Sequence, residues 1–442
     1  MAAAVGRCSR LCELRLADNA IGTRGAASLG GVLGQCHSLS TLDLASNDLG
    51  ADGADSLSRV LGQCSRLAEL DLGSNIIRHD GAKSVAGVLA QLPCLTRLGL
   101  SGNLIRAEGA SSLAQALGQC SRLSKLDLAQ NVIEAGGMTS LASVLGQCPS
   151  LSELDLGTNI IAAAGARSLE GLLVQLTRLC KLGLAGNDLR DHGLRCLSRV
   201  LAQCRRLAEL DLKSNDIGVA GVRSLAPVLA ELPRLSKLDL TNNHIGAKGA
   251  QSLAKVLAQC TCLSRLNLRN CHIGAAGAWS LGGVLAGCGA LSELIMDVNG
   301  ITIHGTRGLA GALTQCPLLS EVHLRGNDIR DEGARVLAGV LPRCPCLSKI
   351  HLGFNSIGNA GARALAECLG HCSALKALDL SSNYVRAQGA RSLAAVMGQC
   401  HSLVKLDLGG NDIDSKALAR LRACWLGPAH GLVVDDRRNA GT

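Results

Sequence analysis

Aromatic side chains are almost missing from this 442-residue sequence, which has two Trp, one Tyr and one Phe. A core of interchangeable Leu, Val and Ala slots suits that shortage, because bulky rings would break a regular spacing. No apolar run reaches the roughly 18 residues of a membrane span, so no membrane partner is expected. The first residues, Met1 to Cys8, are too short and too weakly apolar for a secretory leader. Pro/Gly/Ser-rich linkers and charge blocks are lacking as well. So are the signatures of catalysis: there is no G-x-x-x-x-G-K-[ST] loop, no G-x-S-x-G elbow, no H-E-x-x-H and no paired C-x-x-C. These absences point to a soluble, cytoplasmic, non-enzymatic chain without a cofactor.

What is present is one pattern. L-x-x-L-x-L-x-x-N recurs fifteen times at a spacing of 28 residues, from Leu11, Leu39 and Leu67 to Leu375 and Leu403, without an insertion. A unit of this size cannot bury its apolar face alone. Neighbours must stack into a continuous core, and function lies on a long surface rather than in one pocket. Length alone would suggest two or three domains; the unbroken period predicts one elongated repeat domain over 11–430. Residues 1–10 match only the last half of a helix, with Ala4, Val5 and Cys8 in the Val, Leu and Cys slots. They read as a partial cap, or as the edge of a longer array. Trp425 takes a Leu slot, and 431–442 is expected to give a short strand at Gly431 to Val434 followed by a tail.

The 21 cysteines do not read as a disulfide framework. Most fall in one slot, three residues before a first leucine, from Cys8 and Cys36 to Cys372 and Cys400. Leu92, Leu176 and Leu232 fill the same slot elsewhere, so it asks for a compact apolar side chain. Neighbouring helices pack about 8–10 Å apart, whereas a disulfide needs Cα atoms within about 7 Å. The thiols are predicted free and buried, as suits a reducing compartment. Cys344-Pro-Cys346 and Cys260-Thr-Cys262 each combine this slot with a neighbour and are not expected to bind metal.

Within the unit that starts at Leu207, Leu210 and Leu212 alternate with Asp211 and Lys213, the period of a strand with one buried face. Asn215 follows, and its amide can satisfy backbone groups where the chain leaves the sheet. Cys271 is the one departure from Asn in that column. Leu225, Val228, Leu229 and Leu232 then mark one face of a helix. Gly221 has a counterpart in every unit but the last, where Ala417 stands, and indicates close approach of turn and helix start.

The string Asn243-His-Ile-Gly-Ala-Lys-Gly-Ala-Gln-Ser-Leu-Ala-Lys-Val-Leu257 resembles the ribonuclease-inhibitor class of leucine-rich repeats. The likeness extends over nearly the whole chain. It implies an α/β fold, a right-handed solenoid or horseshoe of fifteen 28-residue repeats with parallel strands on the concave face and helices on the convex one. The constant unit length is most similar to the repeat region of NOD-like receptors (NLRC type). Ribonuclease inhibitor alternates two unit lengths and places Cys at every second Asn slot, which only Cys271 does here. The resemblance implies a scaffold that binds a protein or peptide on its concave face. The alternative is a regulator of an enzyme, of ribonuclease-inhibitor or Ran GTPase-activating type.

The concave face is read by columns. Asp43, Asp71, Asp127, Asp155, Asp211, Asp239, Asp379 and Asp407 occupy one of them, beside Lys125, Lys181, Lys237, Lys349 and Lys405 mixed with Glu69, Glu153 and Glu209. This is expected to be a solvated sheet of mixed charge. A second column, on the helices, runs through Lys83, Arg167, Arg195, Arg223, Arg307, Arg335, Arg363 and Arg391. With Trp279 its only aromatic residue to stack bases, it reads as solubilising, and no nucleic-acid partner is expected. The aspartate column breaks at Asn267, Ile295, His323 and His351, flanked by Arg269, Asp297, Arg325, Phe354 and Tyr384. A local departure on an exposed face is where a partner could be read, and aromatic and Arg side chains are common anchors. Asn267, Arg269, Asp297, His323, Arg325, His351, Phe354 and Tyr384 are therefore the candidate contact residues. His323 and His351 lack an obvious third ligand, and no metal is expected there.

Overall fold

The computed structural model describes residues 10–434. They fall into two compact units divided between Asp216 and Ile217, and the period of 28 runs through the division unchanged. The partial cap read at Ala4, Val5 and Cys8 lies outside the described residues, as does the tail beyond Val434.

The first unit holds eight parallel strands of three residues, from Glu13–Arg15 to Glu209–Asp211. They pair in chain order, and each register step is one repeat: Leu42 lies opposite Leu70, and Leu126 opposite Leu154. A helix follows each of the first seven strands, from Gly22–Leu33 to Arg190–Leu201. The second unit opens with the helix Val219–Ala230, then repeats strand and helix from Lys237–Asp239 to Ser415–Cys424, and ends on the strand Leu432–Val433. Leucines of strands and helices interleave between the two layers; Leu42, Leu57, Leu126 and Leu141 are at most 2% exposed. Each such side chain contributes on the order of 1.5–3 kcal/mol by leaving water.

Asn does more than close the strand. The Asn131 Oδ1 accepts the N–H groups of Asn103 and Ile105 from the preceding repeat, at 2.9 and 3.3 Å. Its Nδ2 donates to the carbonyls of Leu100, Leu128 and Ala129. One buried amide therefore satisfies five backbone groups across two repeats, and the chain of amides runs repeat to repeat. Cys271 keeps part of this: its N–H donates to Asn299 Oδ1 at 2.9 Å, and its thiol to Leu240 O at 3.0 Å.

The turn after most strands is left-handed at alternating residues, as at Ser46, Asp48 and Gly50. Glycine and Asp accept this readily, but Ile76, Val132 and Ile160 also sit there at φ near 55°, a conformation β-branched residues rarely adopt. The recurrent glycine at the helix start answers close approach rather than φ. A Cβ on Gly109 would lie 3.0 Å from His79 Cα and 3.1 Å from Ala82 Cβ.

All described cysteines are free thiols. Their slot asks for more than a compact apolar group. Cys64, Cys148, Cys288 and Cys316 donate to the carbonyls of Leu33, Leu117, Leu257 and Leu285, at 3.1–3.4 Å. Each acceptor is the last residue of the preceding repeat's helix, where carbonyls have no intrahelical partner. Burial pushes the Cys148 thiol up to about 11 and Cys288 to about 12, which keeps them protonated donors.

Candidate functional site

In the first unit the aspartate column is occupied with its own backbone. Asp71 Oδ1 accepts the N–H of Gly73 at 2.8 Å, Asp127 that of Ala129 at 2.9 Å, and Asp155 that of Gly157 at 2.9 Å. Each carboxylate thus turns the chain two residues on. These groups are not simply solvated: burial raises the Asp71 and Asp127 carboxyls above the usual range, with neighbouring aspartates adding to it. Lys125 and Glu153 pair beside them.

In the second unit Asp239, Asp379 and Asp407 keep the same cap, but between Asn267 and His351 the column changes hands. Asn267 reproduces the cap, accepting from the Arg269 N–H at 3.1 Å, and its Nδ2 donates to Asp239 Oδ2 at 2.9 Å. Ile295 is 6% exposed and can cap nothing. His323 leaves the Arg325 N–H to another group, and Asp297 Oδ1 takes it from one repeat away at 2.8 Å. Asp297 is 4% exposed and Asn267 9%. Strand periodicity puts both among the contact residues, yet both are turned into backbone and neighbouring side chains. The sequence does carry a signal for Asp297: its column holds Ala, Gly or Ser in most repeats, the mark of a crowded position.

With the Arg325 N–H capped by Asp297, His323 is free of that duty and the two imidazoles come together. His323 and His351 lie in register on adjacent strands, and their rings stack at 4.3 Å and 10°. Glu321 projects on the same side, two residues before His323. Its Oε1 sits 3.1 Å from His323 Nε2 and 3.3 Å from His351 Nε2, while its Oε2 accepts from Lys349 Nζ at 2.8 Å. Glu293 Oε1 lies 3.7 Å from His323 Nε2, and Glu293 Oε2 is held by Arg265. Beyond the pair, Asp379 Oδ2 accepts from Arg325 Nη1 at 3.0 Å and lies 3.7 Å from His351 Nδ1.

The environments push the two rings apart. Burial, with His351 alongside, holds His323 below the usual imidazole value. The Asp379 and Glu321 carboxylates hold His351 above it, against burial. Burial also pulls upward on the carboxyls of Glu321 and Asp379, but their partners outweigh it. Lys349 and the histidines hold Glu321 below its usual range, and His351, Ser381 and Arg325 bring Asp379 to about 2. Glu293, Glu321, Lys349 and Asp379 are site residues that the break in the column does not reveal. Glu321 has a signal of its own, because residues two apart on a strand share a face.

The exposed remainder of the patch is aromatic and basic. The Arg325 guanidinium lies 5.2 Å from the centre of the Phe354 ring, within cation–π range. Phe354 is 56% exposed and Tyr384 67%, and Arg269 is exposed as well. Among the described residues, no helix is long and apolar enough to cross a membrane.

Comparison with known proteins agrees with the repeat grammar. A family model described as "Leucine Rich repeat" matches residues 35–58, 91–114, 203–226, 233–254, 259–282, 315–338, 343–366, 371–394 and 399–421. Among solved structures, the chain is similar to a leucine-rich-repeat protein of Leptospira interrogans at 21% identity and a TM-score of 0.62, covering 98% of each chain. It is also similar to an internalin from Listeria monocytogenes at 21% identity and a TM-score of 0.51, covering 80% of this chain and 83% of that one. No curated protein sequence matches it significantly. The finer likeness to NOD-like receptors or ribonuclease inhibitor is not drawn by these matches. The repeating unit, its amide ladder and the matched stretches all say the same thing: this chain is built of leucine-rich repeats.

Proposed function

We propose that this protein is a non-enzymatic interaction scaffold that takes a protein or peptide partner on the strand face of the second unit. One observation carries the reading. Along and just past the break in the aspartate column, the only Phe and the only Tyr of the chain stand exposed, Phe354 under the Arg325 guanidinium, with Arg269 exposed nearer the start of the break. On the first unit's strand face, Asp43, Asp71, Asp127 and Asp155 are engaged with their own turns, Arg97 pairs with Glu69 and Lys125 with Glu153. The constant unit length supports a role of the NOD-like-receptor type over that of an enzyme regulator, and the many buried thiols support a reducing, cytoplasmic setting.

The test separates patch from face. A partner is first recovered with the whole chain. Its binding is then measured against Arg269→Glu combined with Phe354→Ala and Tyr384→Ala, and against Arg97→Glu combined with Lys181→Glu on the first unit's strand face. Arg325 is left intact because it supports Asp379. Loss of at least about tenfold in the first variant alone, with unchanged melting, is the expected outcome; interface anchors of this kind contribute more than about 1 kcal/mol each. Equal loss in both variants would mean a diffuse charged face. No loss in either would move the partner to the helix side.

A further inference from the structure

We propose that Glu321, His323 and His351 form a binding site for a divalent transition ion of the zinc type. Among the described residues, they are the one group of three whose ligand atoms all lie within 4.8 Å of one another. The inference does not rest on the partner reading and is tested without a partner.

Four observations converge. The shared Glu321 Oε1 stands 3.1 and 3.3 Å from the two Nε2 atoms. Ligands of a tetrahedral zinc ion with bonds of about 2.0–2.1 Å are about 3.3 Å apart, so these atoms are already spaced as neighbours in such a shell. His323 Nε2 is shielded from solvent and makes no hydrogen bond, despite its nearness to Glu321; the approach is wrong for sharing a proton. A buried ring nitrogen without a hydrogen bond is the kind of group that needs an explanation.

The carboxylates are also divided in a telling way. Lys349 holds Oε2 of Glu321 and Arg265 holds Oε2 of Glu293, which leaves both Oε1 atoms toward His323 Nε2. Glu293 Oε1, at 3.7 Å, is placed to supply a fourth ligand. Finally, Asp379 stands behind His351 on its Nδ1 side, the position from which a carboxylate orients a metal-bound imidazole through Nδ1–H.

Two imidazole nitrogens with carboxylate oxygen favour zinc, copper or nickel over magnesium or calcium. The stacked rings direct their lone pairs side by side, so each must swing about χ2, a broad torsion, to aim at one ion. That rearrangement, and the cations Lys349 and Arg325 nearby, make the site weaker than a preformed structural zinc centre.

The experiment uses the whole chain, reduced, with Zn²⁺ or Co²⁺ as the probe. Zinc binding is measured by competition with a chromophoric chelator, and cobalt by its visible spectrum. The expected result is one ion per chain, with no thiolate charge-transfer band and a raised melting temperature. His323→Gln and His351→Gln should each weaken binding at least about 100-fold. His244→Gln, from a tilted histidine pair with ring centroids 5.1 Å apart, should leave it unchanged. In case a variant folds poorly, histidine ¹⁵N spectra of the wild type give an independent reading. Two imidazoles should shift on adding zinc, and neither should be His244 or His272. Binding that survives both glutamine variants, carries a thiolate band, or shifts other histidines would overturn the proposal, as would no binding at millimolar zinc.

Discussion

The strand face from Asp43 to Asp155 and the strand face from Asn267 to His351 are built on the same repeat, yet they use it in opposite ways. In the first stretch, four aspartates each cap an N–H two residues ahead, and Gly99 occupies the column between them. Their charge is committed to turning the chain. In the second stretch the cap for Arg325 comes from Asp297 in the preceding repeat, and the column itself is given over to Ile295, His323 and His351. The lesson is that a polar column in a repeat protein is first a backbone device. Side chains become available for ligands where that duty is met from elsewhere.

The largest expected effect breaks the amide ladder. Asn131→Ala removes the partner of two N–H groups and three carbonyls in the core of the first unit. Buried polar groups left unpaired cost about 1–3 kcal/mol each, so the variant should lose more than about 3 kcal/mol in chemical denaturation. Leu210→Ala, at a position 2% exposed, should lose about 2–5 kcal/mol through its cavity. The second unit offers the opposite change. Cys271→Asn restores the ladder where it is interrupted and should stabilise. If Cys271→Asn destabilises as much as Asn131→Ala, the ladder has been re-optimised around the thiol and the two stretches are not comparable.

A smaller effect separates caps from free side chains. Asp127→Ala and Asp297→Ala each leave one backbone N–H without its acceptor, of Ala129 and of Arg325. Each should cost about 1–3 kcal/mol. His323→Ala caps nothing and should cost less than either, read in the same denaturation series. A His323→Ala loss as large as that of Asp297→Ala would show that the imidazole pair holds the fold together rather than standing free of it.

Much of this architecture is legible in the amino-acid sequence. Period, strand, helix and the Asn and Gly columns follow from spacing alone, because each position meets its own counterpart one repeat away. The register that brings His323 beside His351 follows from the same constant 28 residues. What the sequence conceals are second uses of a residue. Cys in its slot reads as merely apolar, although its thiol reaches the carbonyl of the previous helix. The aspartates read as solvated because spacing shows the face a side chain is on, not the N–H it can fold back upon. Asp297 reads as exposed for the same reason. Ile76 and Val132 give no hint of a left-handed backbone, since propensity argues against it and repeat context overrides it.

The smallest effect is a contrast in acid. Asp127 has its carboxyl raised by burial, so its folded value lies above the unfolded 3.8. The charged form is disfavoured by folding, and stability from this group rises as pH falls through the folded value toward 3.8. Asp379 is the reverse, lowered to about 2 by its partners. Its stabilisation is fully present above 3.8 and is lost as pH falls from there to about 2. Asp127→Asn keeps the cap, as Asn267 shows in its own repeat, and should leave stability near neutral pH equal or slightly higher while removing the gain in mild acid. Asp379→Asn should lower stability at neutral pH, with the loss shrinking as pH approaches 2. Denaturation across that range, with chelator present so that no ion contributes, reads both curves. Parallel curves for the two variants would mean that one electrostatic environment covers both stretches, and the distinction drawn between them would fail.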